Sequence, residues 1–256
     1  MAIVSSTLLS TILRTVWEDL GELSVRLRSQ SIIGLSVVVV FEMIGSVPAI
    51  SGDRLLSEAF GLMSTIALLP FEIAIYRLLI LDEAAAGYRF EISTVRFQRM
   101  LGWTVALWAL ANIPIYLPDA VVPSEGAATV SSIALIIIGV AVMVRLSILL
   151  PAIAVDAPGA SVATILADTR GHTWFIVKAY LAIVAPFVLI VLSAALLAWL
   201  AGASDILGRS GRVNPAASAF FGALGFLVVT AFMIVSARLF MSLGNRVKGG
   251  AQSPGE

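Results

Sequence analysis

The stretch VMVRLSILLPAIAVDAPGASVATILADTRGHTWF, residues 142–175, shows how this chain leaves one apolar run and enters the next. Arg145 stands a few residues before the first run stops, and Pro151 and the DAPG turn at 156–159 interrupt the backbone. A short amphipathic segment follows, and Arg170 and His172 precede the second run. That order is the pattern of a membrane helix, a loop on one face and a second membrane helix.

Composition agrees. Of 256 residues, 59% are hydrophobic and 12% charged, with a mean hydropathy of +1.02; soluble domains carry about a quarter charged residues. The formal net charge of zero gives no case for nucleic acid or an acidic partner. With no cysteine, disulfides, iron–sulfur ligation and thiol chemistry are excluded, and one histidine leaves zinc without its usual ligands. Neither a metal nor a cofactor is expected. The first 30 residues lack the basic start, apolar stretch and small-residue cleavage site of a leader, so none is expected to be removed.

Six apolar segments follow, at 31–50, 60–81, 101–122, 127–152, 174–201 and 216–243. Each has the ~20 residues that a helix needs to cross ~30 Å of hydrocarbon. The expected fold is therefore all-α, a polytopic membrane protein whose six transmembrane helices form three hairpins with cytoplasmic amphipathic helices. Residues 1–30 are expected to be a cytoplasmic amphipathic helix, 31–243 the membrane domain and 244–256 a disordered cytoplasmic tail. Of the sixteen Lys and Arg residues, only Arg54, Arg209 and Arg212 fall on one side of this arrangement. Basic flanks stay in the cytoplasm, which places both termini there; fourteen Arg against two Lys suit a GC-rich bacterial genome, so the expected membrane is a bacterial inner one.

In the first helix Leu9, Ile12, Val16, Leu20, Leu23 and Leu27 share a face, and Arg14, Glu18, Asp19, Glu22, Arg26 and Arg28 are expected opposite them. It is too polar to span. Two readings are open: it lies among lipid headgroups, or it packs on the protein itself. Spans two, four and six end near Arg77, Arg145 and Arg238, and amphipathic stretches with basic ends precede spans one, three and five. We read three similar units, a weak internal repeat. Between spans two and three a helix would carry Arg89, Arg96 and Arg99 within roughly 80° of arc. Between spans four and five Ser161 is an expected N-cap and Gly171 an expected stop. Arg89, Arg96, Arg99, Arg145, Arg170 and Arg238 are thus candidate contacts for anionic lipid headgroups.

Two acidic residues stand inside spans. Glu42 lies about twelve residues into span one, ~17 Å from its start and near the midplane. Glu72 follows Pro70, whose missing N–H frees a carbonyl in span two. A carboxylate there must be protonated, paired or wet. Glu42, Glu72 and Arg77 are the candidate intramembrane ion or proton site, and a hydrogen-bonded or ion-paired structural role is the competing reading. Should the two carboxylates meet across the first hairpin, the pathway reading gains most.

RLSILLPAIAVDAP at 145–158 followed by TRGHTW at 169–174 resembles a family of uncharacterised bacterial six-span integral membrane proteins. More distantly, the chain is similar to the membrane portion of glycerophosphodiester phosphodiesterases, without the barrel domain that carries catalysis in that family. The resemblance implies a six-span fold and transfers no catalytic residue. There is no G-x-x-x-x-G-K-[ST] loop, H-E-x-x-H helix or G-x-S-x-G elbow. The expected function is non-enzymatic: transport of a small solute or membership of a membrane complex. The alternative is a structural or lipid-organising role. Expected partners are membrane lipids, a second membrane protein or further copies of the chain.

Overall fold

The structure is a computed structural model that describes residues 2–85, 87–121, 125–200 and 215–249. All regular structure among them is α-helical. Five segments are long and apolar enough to cross a membrane: Arg28–Gly45, Leu55–Leu81, Thr129–Ala154, Thr173–Ala194 and Ala217–Leu243. The segment expected as span three is a helix of 27 residues, Val95–Val121, ~40 Å long at 1.5 Å per residue. It is not among the five, which are counted over the described residues.

The chain divides into two compact units. The first comprises Met1–Phe90 and Lys178–Val235. It contains α1 (Ala2–Arg26), α2 (Arg28–Gly45), the single turn α3 (Pro48–Ser51) and α4 (Arg54–Leu81), with most of α9 (Thr173–Leu200) and α10 (Pro215–Leu243). Ile12, Val16, Leu23 and Leu27 of α1 are buried, as their spacing requires; Asp19, expected on the polar face, is buried with them, because at ~100° per residue it falls close to Ile12 and Val16. Trp17 stacks on Phe187 of α9 with ring centroids 6.1 Å apart. This burial favours packing on the protein over a headgroup-facing apolar stripe. Between α1 and α2 only Leu27 leaves helical geometry, and the bonds from Leu27 N–H to Leu23 O and from Ser31 N–H to Leu27 O bridge the break.

Helices α2 and α4 form an antiparallel hairpin, and Asp53 caps α4 by accepting the Leu56 N–H at 3.1 Å. Two contacts set its register. Phe41 meets Phe60 edge-on at 6.1 Å, and Gly34 lies against Phe71, which stacks on Phe226 of α10 at 5.2 Å. Asp82 ends α4 in the left-handed region at φ 57°.

The helix expected over Arg89–Arg99 is not there: residues 82–85 and 87–94 are irregular, and of the three arginines only Arg96 and Arg99 are helical. The left-handed Asp82 stops one helix, and Thr94 starts the next by accepting the Phe97 N–H at 3.3 Å. Instead the segment folds back. Gln30 Nε2 donates to the Ala85 carbonyl at 2.9 Å, and the Tyr88 hydroxyl donates to the Ala67 carbonyl. Ala67 is fourteen residues before Leu81, ~21 Å back along α4.

The second unit comprises Glu91–Val177 and Ser236–Glu256. Here α5 (Val95–Val121) pairs with α6 (Glu125–Arg145), and Gly139 approaches the Leu110 carbonyl. The interruption expected at Pro151 begins a few residues earlier, at 146–148, before α7 (Leu149–Ala154). Pro151 is the reason: its ring crowds the carbonyl four residues earlier, that of Ser147, and it has no N–H to donate. After a left-handed Asp156, α8 (Val162–Asp168) is capped as expected by Ser161, which accepts the Thr164 N–H, and Gly171 turns the chain at φ 82°.

The tail corrects another expectation. Asn245–Gly249 forms a short helix, α11, with Val247 fully buried; residues 250–256 lie outside the described ones. Asp168 Oδ2 accepts the N–H groups of Arg246 and Val247 at 3.0 and 3.1 Å, and Gly159 N–H donates to the Val247 carbonyl at 3.0 Å. A side chain on Gly159 would meet the Val247 backbone at 2.9 Å, so only glycine admits this approach.

Candidate functional site

The arginines expected to face lipid are mostly held by the chain itself. Arg96 pairs with Asp156 at 2.8 Å, and Arg99 donates to the Ala160 carbonyl at 2.8 Å. Arg145 donates from Nη2 to the Leu166 carbonyl at 2.8 Å, in the last turn of α8, where carbonyls lack intrahelical partners. Arg77 pairs with Glu83. Arg238 is half-buried in α10, and of the six headgroup candidates Arg89, Arg99 and Arg170 are exposed. Arg96, Arg99 and Arg145 thus hold loops of the same chain.

These bonds follow a rule that the sequence only hinted at. In the first unit Arg26, just before α2, reaches Asp82, just after α4, at 2.6 Å. The bonds to Glu22 and then to Asp82 push the Arg26 pKa up from its already high value. In the second unit Arg96, at the start of α5, reaches Asp156, just after α7. Asp168, before α9, reaches Arg246 and Val247, after α10, with the charges reversed. Each of these bonds thus joins the chain just before one long helix to the chain just after a later one. Asp82 and Asp156 share a left-handed backbone and follow an apolar helix end, in LDEAAAG and VDAPGA; that likeness was the available signal.

Glu72 is a different kind of site. It is buried on α4 and accepts the Tyr76 hydroxyl at 3.0 Å, one turn away. The alternative of an ion pair with Arg77 is overturned, since that guanidinium turns to Glu83. Pro70 lies two residues before Glu72, and the irregular segment runs back past this level to Ala67. Burial pushes the Tyr88 hydroxyl up to about 12, which keeps it a donor. Sequence reasoning missed Gln30, 2% exposed, whose Nε2 is committed to Ala85. Because a carbonyl only accepts, the amide orientation is fixed, and Gln30 Oε1 is left buried without a partner.

Glu42 does not join this site. It is exposed on α2, with its Cβ and Cγ over Gly222 of α10, where a side chain at 222 would come within 3.1 Å. The hairpin register places Glu42 beside Phe60 and Glu72 beside Gly34, so the carboxylates are separated by ~12 Å along α2. Nor is Glu42 central: α2 begins at Arg28, fourteen residues or ~21 Å earlier, and ends at Gly45.

No family model, curated protein or solved structure matches the chain.

Proposed function

We propose that the chain is a non-enzymatic integral protein of a bacterial inner membrane that moves a small solute across the bilayer. Its topology in this reading is six spans, with α5 as the third and both termini in the cytoplasm. Membership of the bacterial six-span family suggested by residues 145–174 belongs to the same proposal. The observation that carries it is the backbone at Ala85 and Tyr88, bonded back to Gln30 and to the level of Ala67, in a hairpin whose α4 carries the buried carboxylate Glu72. Non-helical backbone at membrane depth persists where it is buried in protein or lines a wet cavity, and buried ionisable groups mark solute and ion paths. The lipid-organising alternative keeps Arg89, Arg99 and Arg170 as exposed headgroup candidates among the six, and Arg99 already donates to the Ala160 carbonyl. The test is permeation of small polar solutes, both neutral and charged, into proteoliposomes holding the full chain. Protein-dependent entry of at least one solute, lost in Glu72→Leu, is expected; permeabilities equal to protein-free vesicles for the whole panel would sink the reading.

A further inference from the structure

We infer that Glu72 and Gln30 bind one monovalent positive charge inside the α2–α4 hairpin, delivered either as a proton or as a sodium-sized ion. This deepens the transport reading and rests on it. Gly34 lies against Phe71; Gln30 is one helical turn before Gly34, and Glu72 follows Phe71. The two side chains therefore sit within ~6 Å of each other along the hairpin axis. Both are buried, and what they offer is oxygen. Gln30 Oε1 has no donor, and Glu72 has only the neutral Tyr76 hydroxyl among the described residues.

The chemistry narrows the ligand. An ionised carboxylate with one neutral donor is costly in a buried site and is satisfied by one positive charge. A divalent ion would leave a buried net charge of the opposite sign. Carboxylate, amide and hydroxyl oxygens are hard ligands, suited to a proton or an alkali ion and unsuited to soft metals. Irregular backbone beside a broken or kinked helix supplies further carbonyls, as at cation sites in secondary transporters. The other charged or titratable groups on the packed elements are already engaged or lie elsewhere. Arg26 and Asp82 hold each other, Glu83 holds Arg77, the Tyr88 hydroxyl is donated to Ala67, and Glu42 is ~12 Å away along α2.

The experiment uses the full chain in nanodiscs. Thermal unfolding is followed in sodium chloride against N-methylglucamine chloride at equal ionic strength, and the protonated-carboxyl infrared band is followed against pH. If the ligand is sodium, saturating sodium raises the wild-type midpoint by several degrees. Glu72→Gln or Gln30→Leu then weakens apparent sodium affinity about tenfold or more. If it is a proton, sodium has no specific effect, and a titrating carboxyl band is present in wild type, absent in Glu72→Gln and displaced in Gln30→Leu. Equal sodium responses in wild type and both variants, or no sodium response together with no band lost in Glu72→Gln, overturns the inference. If Glu72→Gln does not fold, Gln30→Leu decides by the same readouts. Binding without permeation refutes only the transport reading, and permeation without binding refutes only this inference.

Discussion

The loop from Asp156 to Thr169 in the second unit and the core of the α2–α4 hairpin in the first both concentrate polar groups, with opposite results. In the loop, guanidinium groups meet carbonyls and carboxylates of the same chain: Arg96 with Asp156, Arg99 with Ala160 and Arg145 with Leu166. The atoms that remain buried without a partner in that unit can all donate: Thr104 Oγ1, Arg145 Nε and Ser147 Oγ. In the hairpin the remaining atom is an acceptor, Gln30 Oε1, near a carboxylate. Charge density is therefore a poor guide to function in this chain. Charges answered by the chain hold loops in place, and an unanswered buried acceptor marks where a ligand belongs.

Three changes would break or sharpen this contrast. The largest effect is expected for Asp168→Ala, which strands two N–H groups at the start of α11 and removes a side chain only 4% exposed. A loss of ~3 kcal/mol is expected, because bonds to a charged group are worth more than neutral ones. Faster proteolysis after Leu243 and a lowered unfolding midpoint would report it; unchanged protection would show that the clasp is idle.

A smaller effect concerns Tyr88. Its pKa is raised from 10.0 to about 12 by burial, so the unfolded chain loses this proton at lower pH than the folded one. The sign follows: its stabilising contribution is complete below pH 10.0 and is lost as pH rises through about 12. Tyr88→Phe should flatten that part of the stability profile. An unchanged alkaline slope in the variant would mean that Tyr88 is not held at Ala67.

The smallest effect belongs to Arg96→Gln. Partly exposed ion pairs contribute ~0–1 kcal/mol, so little change in midpoint is expected. Binding of anionic lipid vesicles should also stay the same, while Arg89→Gln with Arg170→Gln weakens it. Loss of lipid binding in Arg96→Gln alone would restore Arg96 to a headgroup role.

Much of the helical frame was legible in the sequence because apolar runs of about 20 residues have few other uses. The N-cap at Ser161 and the buried face of α1 were also readable, since both depend on local spacing. What escaped depends on distant partners. Arg89, Arg96 and Arg99 share an arc only if the segment is helical, and a left-handed Asp82 prevents that. The helix at Asn245 has one buried anchor, Val247, and is too short to show a period. Gln30 looked like an ordinary polar residue at a span boundary. Its meaning comes from Ala85, fifty-five residues away, which no periodicity could announce.

The path of residues 82–90 decides whether the polar site exists, and the absence of native cysteine makes it directly accessible to measurement. Gln30→Cys combined with Ala85→Cys, treated in native membranes with a bifunctional thiol reagent spanning ~10 Å, should cross-link in high yield, because Gln30 Nε2 lies 2.9 Å from the Ala85 carbonyl and the truncated side chain leaves a gap wider than a direct disulfide. A pair made from Glu42→Cys and Ala85→Cys should remain open. Equal reactivity of the two pairs, or no cross-link between 30 and 85, would place the segment away from the hairpin and remove the site.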